Sequence, residues 1–292
     1  MPFMMEFFLL GPLLVRADGI ALSVTPGKER AVLAALLLNA NRIVSVDELA
    51  ETLWGSAPPP SARVTIQNYV KRLRRALGEI GGTRISTHAG GYRIRVDRGE
   101  LDVSRFEALL RTAQSAVRNA AWAEASASAS AALALWRDKA LADVDSVLLA
   151  QRYASRLTEM RLQATVSRIE ADLHLGRQAE VIGELRQLIA AHPLSERQHA
   201  LLMLALYSDG RPAEALAVYR QARRLLIDEL GIEPGNELRQ LHQQILSRNQ
   251  ALSDPGIKRL AVVGSAGGNG HGARIDFARR GGRRTLCRRD IV

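Results

Sequence analysis

The chain has 292 residues, 47% hydrophobic and 24% charged, which suits two globular domains with real cores and excludes a chain disordered throughout. Its single cysteine, Cys287, excludes an internal disulfide framework and a cysteine-based zinc site. Net charge is +10, and the excess sits at the ends: residues 1–98 carry 13 Lys/Arg against 8 Asp/Glu, residues 99–252 carry 18 against 19, and residues 253–292 carry 9 against 3. Two basic flanks around a nearly neutral body form an electrostatic footprint for a polyanion.

Met1 to Leu14 is apolar but lacks a basic leader and a small-residue cleavage site, and Glu6, Gly11 and Pro12 break it well short of a bilayer span. It reads as a strand of a cytoplasmic protein, with no membrane association. From Glu6 to Leu22, short apolar runs broken at Gly11-Pro12 and Asp18-Gly19 predict two or three small strands joined by turns. Glu29 to Asn39 has almost no polar face and predicts a buried helix. Ser45 with Glu48 three residues on predicts a capping box for a second helix through Trp54, which Gly55 and Pro58-Pro59-Pro60 end.

Ser61 is expected to cap a third helix, Ala62 to Leu77. Val64, Tyr69, Val70, Leu73, Ala76 and Leu77 are expected to face a core, and Arg63, Gln67, Lys71, Arg72, Arg74 and Arg75 to project outward. No acid interrupts the polar face. Arg84 to Thr87 and Tyr92 to Val96 alternate like strands around Gly90-Gly91 and predict a hairpin with His88 near its tip. Strands, three helices, then a hairpin is the order of a winged helix.

The third helix carries the chemistry. Arg and Lys suit phosphates and guanine edges, and Asn and Gln suit adenine edges, so Arg63, Thr65, Gln67, Asn68, Lys71, Arg72 and Arg75 form a set able to read a major groove. Gln67, Asn68 and Lys71 are the candidates for base contacts; Arg63, Arg72 and Arg75 are the candidates for phosphates. His88 is a candidate for the minor groove or backbone, or simply an exposed loop histidine. Taken alone, the helix is equally compatible with a solvated basic face; two apolar helices before it and a hairpin after it point to DNA.

Beyond about residue 103 the chain is Ala- and Leu-rich with helical periodicity. Leu175-Gly176-Arg177-Gln178-Ala179-Glu180 recurs 34 positions later as Asp209-Gly210-Arg211-Pro212-Ala213-Glu214. That period, with Gly at the turn and small Ala where helices cross, predicts tetratricopeptide-like helix pairs. The Ala/Ser run from Ala120 to Ala134 is consistent with a tightly packed helix, and Trp54, Trp122 and Trp136 with core packing. The fold expected is therefore mainly α: a winged helix-turn-helix over 1–98, an all-α helical repeat over 99–252, and a basic Gly/Arg-rich segment over 253–292 without regular structure. Enzyme chemistry finds no support. Gly264 to Gly272 lacks a following Lys-Ser or Lys-Thr, and the six histidines offer no i, i+4 pair for a metal, so no cofactor or metal is expected.

The sequence resembles the Streptomyces antibiotic regulatory protein family, in which an OmpR-type winged helix is joined to a bacterial transcriptional activation domain. The resemblance covers about residues 6 to 248. It rests on Phe8-Leu9-Leu10-Gly11-Pro12-Leu13, Val46-Asp47-Glu48-Leu49 with Leu53-Trp54-Gly55, Thr65 through Leu77, Gly90-Gly91-Tyr92, Leu135-Trp136-Arg137, Tyr207 to Arg211 and Asp228 to Gly235. It implies a cytoplasmic, nucleoid-associated activator of a secondary-metabolite gene cluster that binds direct repeats in double-stranded DNA as a homodimer and contacts RNA polymerase holoenzyme. It makes Ala62 to Leu77 the recognition helix and the loop around Trp54 to Pro60 a polymerase-contacting turn, with the activation domain packed on the DNA-binding domain or on its copy in a neighbouring protomer. Residues 253–292 match neither the ATPase domain with repeats nor the phosphothreonine-reading domain of larger relatives, and are expected to add nonspecific DNA affinity at most. A protein-interaction scaffold with basic ends, and a repressor of the same architecture, remain open alternatives at this level.

Overall fold

The computed structural model describes residues 4–251, with side chains described as far as residue 247. The expectations for 253–292, including the glycine-rich stretch from Gly264 to Gly272, lie outside the described residues. The protein is mainly helical. The chain divides into two compact units, one comprising residues up to Ala116 together with Glu124–Arg168, the other Val117–Ala123 and the chain from Ile169 onward.

In the first unit, β1 (Met5–Phe8), β2 (Leu14–Ala17) and β3 (Ile20–Leu22) form an antiparallel meander in that order. Phe7 sits opposite Val15 and both are fully buried, as period-two alternation requires of a sheet with one face on a core. Helix α1 (Lys28–Leu38) has every residue from Ala31 to Leu37 buried, the all-round apolar pattern of a central helix. Strand β4 (Val44–Ser45) leads into α2 (Val46–Trp54). The capping box forms as expected: Ser45 Oγ accepts from the Glu48 N–H and the Glu48 carboxylate accepts from the Ser45 N–H at 2.7 Å. Helix α3 (Ala62–Ala76) follows and packs on α1 and α2, then a short turn α4 (Gly78–Gly82) leads to the hairpin β5 (Ile85–His88) and β6 (Gly91–Ile94).

The second sheet has the order β4-β6-β5, so the strand before α2 pairs with the hairpin, a long-range pairing that local pattern does not reveal. It explains Gly91: a Cβ there would lie 2.2 Å from the Val44 carbonyl oxygen, backbone that cannot move aside.

Helices α5 (Asp102–Arg118), α6 (Trp122–Leu133), α7 (Val147–Leu149) and the first part of α8 (Ser155–His174) extend the same unit, with one π-turn at Ala150–Ala154 joining α7 to α8. They share one core with the winged helix. Asp102, 1% exposed, accepts hydrogen bonds from the Leu9 and Leu10 N–H groups at 2.8 and 2.9 Å and from that of Val103. Burial pushes its carboxyl up from the ordinary value, and the three backbone donors pull against that shift. Arg137 N–H donates to the Leu10 carbonyl at 2.8 Å, Leu141 N–H to the Leu9 carbonyl at 3.0 Å, and Ser146 Oγ to the Thr52 carbonyl at 2.7 Å. Asp143 accepts from the Leu13 N–H at 2.7 Å and pairs with Arg30. The run from Leu9 to Leu13 is thus pinned along its length by residues 102–143. Small residues Ala125, Ser126, Ala129 and Ala132 form the buried face of α6, which is how the Ala/Ser run packs closely.

In the second unit, α9 (Gln178–Ala191), α10 (Glu196–Ser208), α11 (Pro212–Leu230) and α12 (Asn236–Ala251) follow one another, α10 packing against α9, α11 and α12. Gly176 and Gly210, 34 residues apart, both take positive φ (+82° and +80°) at the turns into α9 and α11. Ala179 and Ala213 do not sit where the helices cross; both are exposed, and Val181 and Ala215, two positions later, are fully buried instead. The turn recurs with the sequence repeat, and its packing stripe lies two positions further on.

Candidate nucleic-acid interface

Helix α3 exists because apolar residues recur at helical spacing on one side: Ala62, Ile66, Val70, Leu73 and Leu77 are all buried, with Tyr69 half-buried beside them. That phase corrects the sequence reading at Val64, which is 59% exposed, while Ile66 takes the core position. Ser61 also departs from expectation. Its side chain caps nothing; instead its carbonyl accepts from the Thr65 N–H and from Thr65 Oγ, both at 3.0 Å.

Opposite the core stripe, Val64, Asn68, Lys71 and Arg75 rise along one line of the helix, with Gln67 on one shoulder and Arg72 on the other. All six are exposed, as is Arg63 in the first turn; Thr65 is half-buried. The structure therefore brings six of the expected residues, Arg63, Gln67, Asn68, Lys71, Arg72 and Arg75, onto the solvent side of a single helix.

Two arginines are held. Arg72 Nη1 donates to Glu29 Oε1 at 3.0 Å; its own side chain is 63% exposed, and that of Glu29 only 5%. Arg74 does not project outward as the sequence reading has it. Its Nε and Nη2 both donate to the Ile85 carbonyl, at 3.0 and 2.8 Å, and Nη2 also donates to Thr87 Oγ1 at 2.8 Å. The planar fork fastens α3 to β5, so the hairpin is carried at a fixed position relative to the helix. His88 lies at the end of β5 opposite Gly91, half-buried, with Nε2 2.9 Å from Ser86 Oγ; Ala89 and Gly90 make the tip.

The loop from Gly55 to Ser61 is exposed except for a half-buried Pro59, and its three prolines stiffen it. Lys28 Nζ donates to the Leu53 carbonyl at 2.6 Å and lies over the Trp54 ring at 5.1 Å, which fixes the point from which the loop departs.

A basic helix face with a hairpin clamped to it is the arrangement of a winged helix, and comparison with known proteins agrees. Residues 21–94 match the family described as "Transcriptional regulatory protein, C terminal", and residues 101–246 match "Bacterial transcriptional activator domain". The regulatory protein DnrI of Streptomyces peucetius is 36% identical over 87% of this chain and 95% of its own length. The chain belongs to the Streptomyces antibiotic regulatory protein family. AfsR of Streptomyces griseus is 41% identical over 86% of this chain, which spans 25% of AfsR. A solved structure of Mycobacterium tuberculosis EmbR, in complex with a low-affinity phosphopeptide, superposes with a TM-score of 0.79 at 37% identity, covering 84% of this chain and 66% of that one. The families matched by this regulator are those of transcriptional regulators rather than enzymes. Among its described residues no helix is long and apolar enough to cross a membrane.

Sequence reasoning missed two features of the surface. Arg93 is exposed on β6 between buried Tyr92 and Ile94, so the hairpin carries an outward cation beyond the candidates on α3. The alternation of Tyr92 to Val96 already contained that signal. Val64 reads as a core residue because it is aliphatic, and only the helical phase set by Ile66 and Leu73 places it outside.

Proposed function

We propose that this chain is a sequence-specific DNA-binding regulator that activates a secondary-metabolite gene cluster, with α3 laid in the major groove and the β5–β6 hairpin on the flanking backbone. The observation that supports the reading is the outward line of α3, where amide and cationic side chains stand together without an acidic residue. Gln67, Asn68 and Lys71 contact base edges; Arg63, Arg72 and Arg75 hold phosphates. Thr65, whose hydroxyl is already turned to the Ser61 carbonyl, and His88, turned to Ser86, serve phosphate contacts at the margins.

In this reading residues 1–98 bind DNA, residues 99–252 form the activation domain, and residues 253–292 add nonspecific affinity. Two copies bind adjacent direct repeats as a homodimer on DNA, spaced by about one helical turn. The stiff loop around Trp54 to Pro60 faces RNA polymerase holoenzyme. The protein acts in the cytoplasm, at the nucleoid.

The test is selection of bound sequences from a random DNA pool with the full chain, repeated with Gln67→Ala and Lys71→Ala. A direct repeat with regular spacing, relaxed at defined positions by the two substitutions, supports the reading. Salt-sensitive binding without sequence preference overturns it in favour of an interaction scaffold. Placing the selected site upstream of a reporter promoter then separates activation from repression.

A further inference from the structure

We infer that Val64 is a specificity-determining residue that reads the C5 methyl group of a thymine in the major groove. The inference rests on the DNA-reading role proposed for α3 and adds a kind of contact that role does not contain.

The other aliphatic side chains of the helix are buried (Ala62, Ile66, Val70 and Leu73) or half-buried (Ala76), whereas Val64 is 59% exposed. A lone exposed valine on a protein surface needs no explanation. Val64, however, stands one helical turn before Asn68 and two before Lys71, on the same line and in the first turn of the helix. That is the part of a groove-bound helix that approaches base edges most closely. Its neighbours on this face, Arg63, Gln67, Asn68, Lys71 and Arg75, include no acid, so the surface that covers it is polyanionic. Within a polyanion of the DNA type, the major groove offers one apolar group to a branched aliphatic side chain: the thymine methyl. Polar side chains around Val64 specify donors and acceptors; Val64 specifies the methyl, which marks the position of the thymine within the pair.

The experiment starts from the selected binding site and replaces each thymine in turn with deoxyuridine, which removes the methyl and leaves every hydrogen-bonding group in place. With the full chain, one thymine per half-site is expected to lose about three- to fivefold in affinity, the worth of one buried methyl. In Val64→Ala that sensitivity disappears: thymine and uracil bind equally, and affinity for the thymine site falls by a comparable factor. Because the side chain is exposed, the substitution spares the fold, which a thermal melt checks. A defined site at which no thymine methyl matters, or at which the sensitivity persists unchanged in Val64→Ala, overturns this assignment while leaving the DNA-reading role intact. Failure to obtain any preferred sequence overturns that role and the assignment with it.

Discussion

Arg72 Nη1 lies 3.0 Å from Glu29 Oε1, so a cation on the solvent side of α3 is tethered to a carboxylate that is almost wholly buried in α1. A buried charge is tolerated when it is paired, and the pairing here holds a guanidinium that is itself largely exposed. The fold and the proposed interface use the same side chain.

Arg72→Ala therefore acts twice. Removing the partner of Glu29 costs about 1–2 kcal/mol of stability, less than for a pair buried at both ends because the arginine is largely solvated. In the proposed DNA-binding role it also removes a phosphate contact. In the double substitution Glu29→Gln with Arg72→Ala, stability is expected to recover while DNA affinity stays low. Thermal melts and fluorescence anisotropy on the full chain check this, and recovery of both together would show that Arg72 acts only through the fold.

Arg74 makes a different prediction, because its fork is spent on Ile85 and Thr87. Arg74→Ala should raise hydrogen exchange across Ile85–Ile94 and cost about 1–2 kcal/mol, since a carbonyl loses its donors. Arg74→Lys should rescue only in part, as a flexible ammonium stem replaces the rigid planar fork that grips the Ile85 carbonyl through two nitrogens at once. Exchange unchanged in the hairpin would refute the clamp.

The outward residues divide by salt dependence. Arg63→Ala and Arg75→Ala are each expected to lower the slope of log affinity against log salt by about 1. Gln67→Ala and Asn68→Ala should leave the slope unchanged and relax one base position by about 1–3 kcal/mol. Titrations at several salt concentrations, on the selected site and on unrelated DNA, read out both effects.

The capping box supplies a pH dependence. The Ser45 N–H, and then the Ser45 hydroxyl, hold the Glu48 carboxyl below its ordinary value. A carboxyl depressed in the folded state stabilises it above the ordinary carboxylate range, and that contribution is lost as pH falls through the folded value. The difference in stability between the native chain and Glu48→Ala is thus expected to shrink as pH drops below about 4. A constant difference across that range, in denaturant titrations at stepped pH, would count against the capping role.

Much of the candidate site was legible in the sequence because it is a local property of one helix. Arg63, Gln67, Asn68, Lys71 and Arg75 are exposed on α3 where spacing alone puts them. The errors came at positions where the side chain type and the helical phase disagree. Val64 is aliphatic but out of phase, and Arg74 is cationic but faces the β5 carbonyl. The cost of misplacing one residue is small locally, so only the packing of the whole stripe, led by Ile66 and Leu73, decides it.

The sequence by itself determined the order of elements, the Ser45–Glu48 capping box, the buried α1, the hairpin and the glycine turns of the repeat. Each depends on residues a few positions apart, within reach of one turn or one ladder. Tertiary structure alone decided the pairing of β4 with β6, the Glu29–Arg72 tether across 43 residues and the capture of Leu9 and Leu10 by Asp102 across more than 90. Those contacts join segments whose spacing carries no periodic signal. They form because buried carboxylates and backbone donors must find partners wherever the folded chain brings them together.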